Sequence, residues 1–181
     1  MPSKHPAFSI SCEHTDAAFL SQPVLRALRP YLDAFNAKNY AVLPDFHTPD
    51  FVFVGPAGEA TAGRDAALAA MTAGVAVFAD YRCEVRSLTG APTGEGTLRF
   101  VSTEKLFADF AGGEGERKYT DLAGRGWDVV GEAAWVFDVV EEEVGGKVEY
   151  KVKRTQVFAD SMPILKEAVL RGVVSLESLV G

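Results

Sequence analysis

The chain has 181 residues, of which 48% are hydrophobic and 24% charged, and its formal net charge is −7. That composition describes one globular domain with a real core, and the negative charge repels a phosphate backbone, so no nucleic-acid partner is expected. No stretch approaches the roughly 20 apolar residues of a membrane span, and the opening MPSKHPAFSIS lacks the apolar core of a signal peptide. A cytoplasmic protein with no membrane partner is the expectation.

The elements follow in chain order. Residues 1–20 show no clear period and read as an N-terminal arm, leaving 21–181 as a single domain. Ser21-Gln-Pro23 is a helix start, with a capping hydroxyl and a proline in the first turn. Val24, Leu25, Leu28, Tyr31, Leu32 and Phe35 then recur at helical spacing. Asn36–Asn39 ends that helix, and a short second one is predicted over Tyr40–Phe46. The run Phe51–Val54, closed by Gly55-Pro56, is a strand. A third helix is predicted from about Arg64 to Phe78, with alanines favouring it. Asp80 to Leu88 alternates as a half-buried strand.

Residues 90–128 are the least regular part. Gly90, Pro92, Gly94 and Gly96 suggest a flexible loop, Ser102–Phe110 a short helix, and Gly112-Gly-Glu-Gly115 a turn. Two long strands follow, Trp127–Glu141 and Lys147–Asp160, joined by a Gly-Gly hairpin. The acidic run Glu141, Glu142, Glu143 solvates its tip. In Ile164–Val174 the positions of Ile164, Leu165, Ala168 and Val169 suit a helix, while the place after a hairpin suits a further strand. The order predicts an α+β fold: a curved antiparallel sheet with three N-terminal helices on one face. Such a cone is a natural place for a small apolar ligand.

Tyr31-Leu-Asp-Ala-Phe-Asn-Ala-Lys-Asn39, Leu43, Thr48-Pro-Asp50, Val52-Phe-Val-Gly-Pro56 and Ala62-Gly-Arg-Asp65 together resemble the N-terminal half of the NTF2-like superfamily, most closely its SnoaL-like branch of polyketide cyclases and relatives. The resemblance covers about residues 24–78. It implies a cone-shaped α+β barrel, with 90–128 as an insertion and Ile164–Gly172 on the last strand. It also implies a homodimer packed through the outer sheet face. Members of the family include cyclases, isomerases and dehydratases as well as transport and assembly modules, so fold alone does not name the reaction. Tyr31 matches a helix-one aromatic that bonds a substrate oxygen in the isomerases and dehydratases. The isomerase branch carries its general-base aspartate just before the proline after the first strand, where this chain has Gly55. Its second acid falls near Thr155 or Gln156.

Among titratable residues, His5 and His14 lie in the arm, which leaves His47 as the histidine of the predicted core. It either faces the cone and moves a proton near neutral pH, or sits solvated at a helix C-terminus. Asp50 is either its partner or a turn carboxylate. Alternation along the last long strand places Arg154, Gln156 and Phe158 on one face with Val148, Tyr150 and Val152. If that face lines the cone, Arg154 and Gln156 point into it, with Asp138 as a partner for the arginine. Phe35, Phe53, Trp135, Phe137 and Phe158 fill or line the cone. The Gly-rich segment carrying Phe107, Phe110, Tyr119 and Trp127 is either a lid over its mouth or an interface extension. Cys12 and Cys83 match no metal or redox spacing and fit a reduced compartment. There is no nucleophile elbow, phosphate loop or dinucleotide fingerprint. What the resemblance to the SnoaL-like branch implies is cofactor-independent, metal-free acid/base chemistry of secondary metabolism: cyclisation, isomerisation or dehydration of a hydrophobic, oxygenated, polyketide- or terpenoid-like molecule. The catalytic candidates are His47, Tyr31 and Asp50. The binding candidates are Phe35, Phe53, Trp135, Arg154, Gln156 and Phe158. The alternative is a non-catalytic ligand-binding or dimerising module.

Overall fold

A computed structural model describes residues 6–11, 20–94, 96–111 and 116–173. His5, Cys12, His14 and the Gly112–Gly115 turn lie outside the described residues. The chain runs β1 (Phe8–Ser11), α1 (Pro23–Asn36), a 3-10 helix (Tyr40–Phe46), β2 (His47–Val54), β3 (Ala60–Ala62), α2 (Arg64–Ala73), β4 (Phe78–Gly94) and β5 (Thr97–Phe110). It continues through β6 (Tyr119–Thr120), β7 (Gly126–Trp127), β8 (Val129–Val144), β9 (Lys147–Ala159) and α3 (Met162–Leu170). No described helix is long and apolar enough to cross a membrane.

Seven strands form one sheet in the order β1-β4-β5-β8-β9-β2-β3. All neighbours are antiparallel except β2 and β9, which are parallel. Bulges interrupt β4 at three places and β9 at one. Each adds a residue to one strand only, which bends it and increases the local twist. The resulting sheet is curved and stays open, with β1 and β3 as its edges. Val24, Leu25, Tyr31, Ala34 and Phe35 form the buried stripe of α1, and this stripe packs into the concavity. Here is the α+β cone that the order of elements predicted.

Three local expectations are corrected. Ser102–Phe110 is not a helix but the second half of β5, the strand hydrogen-bonded between β4 and β8. The loop expected at Gly90–Gly94 is the end of β4, so residues up to Phe110 belong to the sheet itself. Ile164–Gly172 is not a strand: Pro163 stands in the first turn of α3, Ala168 is buried, and Ile164 meets the sheet where Gly131 leaves room for it. The arm contributes β1, whose Phe8–Ser11 pair with Gly90–Ser87 of β4.

Residues 121–127 form a strap on the convex face, and Glu116 and Lys118 before them bond Arg171 and Glu167 at the end of α3. Asp121 organises it, accepting bonds from Ala123 N, Arg125 N and Trp127 Nε1 at 3.0, 2.8 and 3.0 Å. Arg125 then bridges Asp80 at 2.6 Å and Asp109 at 2.8 Å, with its guanidinium 3.8 Å from the centre of the Trp127 ring. Leu122 N bonds Glu84 at 3.0 Å. Asp80, Glu84 and Asp109 all point outward, because Tyr81, Cys83 and Ala108 beside them point in.

Candidate functional site

Along β5, Leu98, Phe100, Ser102, Glu104, Leu106, Ala108 and Phe110 alternate onto the concave face. Two of them are polar, and both are buried. Ser102 Oγ donates to Glu104 Oε1 at 2.7 Å. Across the sheet, Glu104 lies opposite Val85 and Ala133, and Ser102 opposite Leu88 and Trp135. Facing them is α1, whose last turn is fastened to β4. Asn36 trades both amide hydrogen bonds with the backbone of Cys83, at 3.1 and 2.8 Å, and the Tyr81 hydroxyl donates to Phe35 O at 2.6 Å. These bonds fix the side of α1 that carries Tyr31 and Phe35 over the carboxyl.

Between helix and sheet lies a cavity of two lobes. The larger, about 50 Å³, is walled by Leu25, Leu28, Val85, Leu88, Phe100, Ser102 and Val152. The smaller, about 20 Å³, is walled by Phe35, Cys83 and Trp135. Tyr31, Leu32, Glu104 and Phe137 border both. The Trp135 and Phe137 rings are within 8° of parallel and stack with centroids 6.0 Å apart.

Burial in this apolar lining pushes the Glu104 carboxyl up to about 7, although the Ser102 hydrogen bond pulls it the other way. A charge in a low-dielectric site is disfavoured, so the acid keeps its proton longer than it would in water. Burial, and after it the neighbouring Glu104 charge, raise the Tyr31 phenol well above its usual range. Tyr31 is therefore a protonated hydrogen-bond donor at neutral pH. Among the described residues its hydroxyl reaches only the Met71 sulfur, at 3.8 Å, a weak acceptor. Burial likewise raises the Cys83 thiol.

His47 opens β2 and is buried rather than solvated at a helix end. Its Nδ1 lies 2.7 Å from Leu43 O. A carbonyl only accepts, so Nδ1 carries the proton and Nε2 the lone pair, which has no partner among the described residues. The ring stands edge-on to Tyr31 at 5.3 Å and to Phe51 at 4.3 Å. Burial holds it down to about 4, against the pull of the Leu43 bond. It lies behind Tyr31 and lines neither lobe.

The other expected residues divide. Phe35 and Trp135 line the smaller lobe. Phe53 is buried in the core. Asp50 is exposed on β2, 4.0 Å from Lys153 Nζ. Lys153 is the extra residue of the β9 bulge, with Asp138 opposite Arg154 but Val139 opposite Val152. The bulge reverses the alternation: Val152, Thr155 and Val157 point in, and Arg154, Gln156 and Phe158 point out. Arg154 and Phe158 are exposed, and Asp138 is held by Arg99 at 2.7 and 2.8 Å instead. The expectation that Arg154, Gln156 and Phe158 face the cone is thus corrected by one inserted residue. Gly55 is buried, and a Cβ there would collide with the Glu59 carboxylate, which folds back over it.

Glu104 was not among the expected site residues. Its place shows once β5 is recognised as a strand, as the one carboxylate in an inward row of otherwise apolar or small residues.

Residues 28–148 match the profile of the SnoaL-like domain. No curated protein matches the sequence. Among solved structures, a putative scytalone dehydratase from Novosphingobium aromaticivorans superposes with a TM-score of 0.58 at 14% identity, over 81% of this chain and 89% of that one. ActVI-ORFA from Streptomyces coelicolor gives 0.58 at 14% identity, over 79% and 98%. A protein of cystatin-like fold from Caulobacter vibrioides gives 0.54 at 18% identity, over 87% and 99%. At these identities the likeness is one of fold. The profile spans more than half of the chain, and the protein belongs to the SnoaL-like domain family.

Proposed function

We propose that the protein is a cofactor-independent acid/base enzyme acting on an uncharged, hydrophobic, oxygenated small molecule, with Glu104 as its proton carrier. One observation carries this reading: Glu104 is the carboxyl that borders both lobes of the apolar cavity, and Tyr31 borders them with it. A group that titrates near the working pH is the most effective proton shuttle. The carboxylate form of Glu104 takes a proton from carbon next to a substrate carbonyl. The Tyr31 hydroxyl donates to that carbonyl oxygen as negative charge builds on it. The proton then returns to the same molecule. Delivered to another carbon it moves a double bond, an isomerisation; delivered to a departing hydroxyl it releases water, a dehydration. Both leave Glu104 as it began.

The lining carries no cation, so a carboxylate or phosphate would enter without a partner. The aromatic rings of Trp135 and Phe137 on the lining suit an unsaturated ring, such as a polyketide- or terpenoid-like molecule provides. Phe35 and Trp135 bind it. His47 supports the ring of Tyr31 from behind, and Asp50, Arg154, Gln156 and Phe158 have no part.

The test is α-proton exchange in deuterium oxide, followed by NMR on a panel of uncharged cyclic ketones and enones. Exchange should rise with pH through a midpoint near 7, as the carboxylate forms, and should vanish in Glu104→Gln. Exchange that persists in Glu104→Gln would sink the assignment.

A second reading is a binding or dimerising module. The size of the cavity favours it: about 50 Å³ in the larger lobe is well below the roughly 300 Å³ of a ligand pocket. Val101 and Phe158, 43% and 51% exposed on the convex face, support homodimerisation under either reading. Ketones that bind without any exchange would favour the module. We place the protein in the cytoplasm and in secondary metabolism on the same reading.

A further inference from the structure

We propose that Ser102 is a positioning residue for Glu104: its hydroxyl holds Oε1 and so fixes Oε2 as the oxygen presented to a bound molecule. The inference rests on the reading of Glu104 as the proton carrier. Three observations support it. Ser102 and Glu104 are two residues apart on the same face of β5, and their side chains meet at 2.7 Å. Ser102 is fully buried, and Glu104 is the sole hydrogen-bond partner of its hydroxyl among the described residues. Ser102 also borders the larger lobe, which makes it part of the cavity wall rather than of the surrounding core.

The row itself shows what the serine replaces. Its cross-strand neighbours Leu88 and Trp135 are large, and Phe100 lies two residues before it. An apolar side chain at 102 would fit that row. It would also leave a carboxyl with several rotamers inside a dry cavity and no donor to select among them. A hydroxyl donating to Oε1 selects one rotamer. It stabilises the carboxylate over the acid, because a donated hydrogen bond favours the charged form. Ser102 therefore sets both where the proton is exchanged and the pH at which the carboxylate is available.

The test is direct titration of Glu104 by carbon NMR in protein labelled at the glutamate carboxyl carbons, with the resonance assigned by its absence from Glu104→Gln. In Ser102→Ala the midpoint should rise by about one pH unit, the value of one hydrogen bond to a charged group. In Ser102→Thr, which keeps the hydroxyl, it should stay where the wild type has it. Should the alanine variant fail to fold, Ser102→Cys keeps the bulk, weakens the donor and must also raise the midpoint. An unchanged midpoint in the alanine or cysteine variant overturns the proposal. So does a threonine variant that rises as far as alanine, since cavity shape would then be the cause. The exchange assay separates this from the function itself. Exchange that survives Glu104→Gln removes the proton-carrier reading and leaves the Ser102–Glu104 hold intact. Glu104-dependent exchange with no shift in Ser102→Ala removes only the role of Ser102.

Discussion

The two faces of the sheet treat charge in opposite ways. On the convex face carboxylates are met by cations: Arg125 bridges Asp80 and Asp109, and Arg117 adds a second contact to Asp109. On the concave face Glu104 has a serine and His47 has a backbone carbonyl, and neither has a counter-ion within salt-bridge distance among the described residues. The convex ion pairs fasten the strap to the sheet. Unpaired groups drift toward neutrality: burial moves the Glu104 carboxyl up to about 7 and the His47 imidazole down to about 4. The concave carboxyl is the one that the proposed chemistry uses.

The sharpest way to test that contrast is to remove the concave carboxyl. Glu104→Gln keeps shape and hydrogen-bonding capacity but carries no transferable proton. Turnover, or the α-proton exchange that stands for it, should fall by about 10²- to 10⁴-fold, the usual contribution of a general acid or base. Steady-state rates on a ketone that the wild type exchanges check this.

The same variant should change how stability depends on pH. Glu104 goes from 4.5 in the unfolded chain to about 7 in the fold. The folded state holds its proton where the unfolded state has lost it. Stability from this group is therefore complete below about 4.5 and is lost as pH rises through 7. His47 goes from 6.5 to about 4, so its contribution is complete above 6.5 and is lost as pH falls through 4. Between about 4.5 and 6.5 the two slopes oppose, and the wild type should be nearly flat as far as these groups go. Glu104→Gln unmasks the histidine, and stability should climb with pH. By pH 8 the variant should be more stable than the wild type by about 3 kcal/mol, the linkage value of a shift this large. Urea melts at pH 5 and pH 8 measure it, and a variant that parallels the wild type at both contradicts the buried-acid account.

Most of the frame was legible in the sequence, and the missing part coincides with the site. Pro23 and the apolar spacing from Val24 to Phe35 marked α1, Tyr40–Phe46 the 3-10 helix, and Gly145-Gly146 the long hairpin. β5 was missed because Ser102 and Glu104 sit in its inward row. Two polar residues where alternation demands apolar ones erase the period-two signal, and the strand and its carboxyl were lost together. The face of β9 was misassigned at Lys153, because a bulge is a backbone event that alternation in sequence does not mark. For α3 the spacing of Ile164, Leu165, Ala168 and Val169 was the better guide, and the strand suggested by resemblance was the weaker one.

On the convex side, Arg125→Ala should lower stability by about 2 kcal/mol. It removes the stacking on Trp127 and leaves Asp109 buried with one remaining cation. Arg125 and Asp80 are each 41% exposed, which discounts their direct attraction. Adding salt should narrow the difference between wild type and variant, since screening already weakens the exposed part of the network. Urea melts at low and high salt read both effects. A deficit that does not change with salt would assign Arg125 a packing role alone.

The smallest effect is expected at the rim of β2, where Gly55 stands in place of the isomerase aspartate. Its amide bonds Glu59 O at 2.9 Å, and its own carbonyl accepts from Gly58 N at 3.0 Å, so the turn is fixed by backbone. Its φ is not positive, so an L side chain is not strained there. The obstacle to a Cβ is the end of the exposed Glu59 side chain, which can swing into water without moving the turn. Alanine also reduces the conformational freedom of the unfolded chain, a gain of about 0.4–1 kcal/mol that offsets the displacement. Gly55→Ala should therefore lie within about 0.5 kcal/mol of wild type in urea melts. A loss of 2 kcal/mol or more would mean that the Glu59 carboxylate belongs to the buried side of the sheet. The rim would then share the economy of unpaired charge that otherwise marks Glu104 and His47.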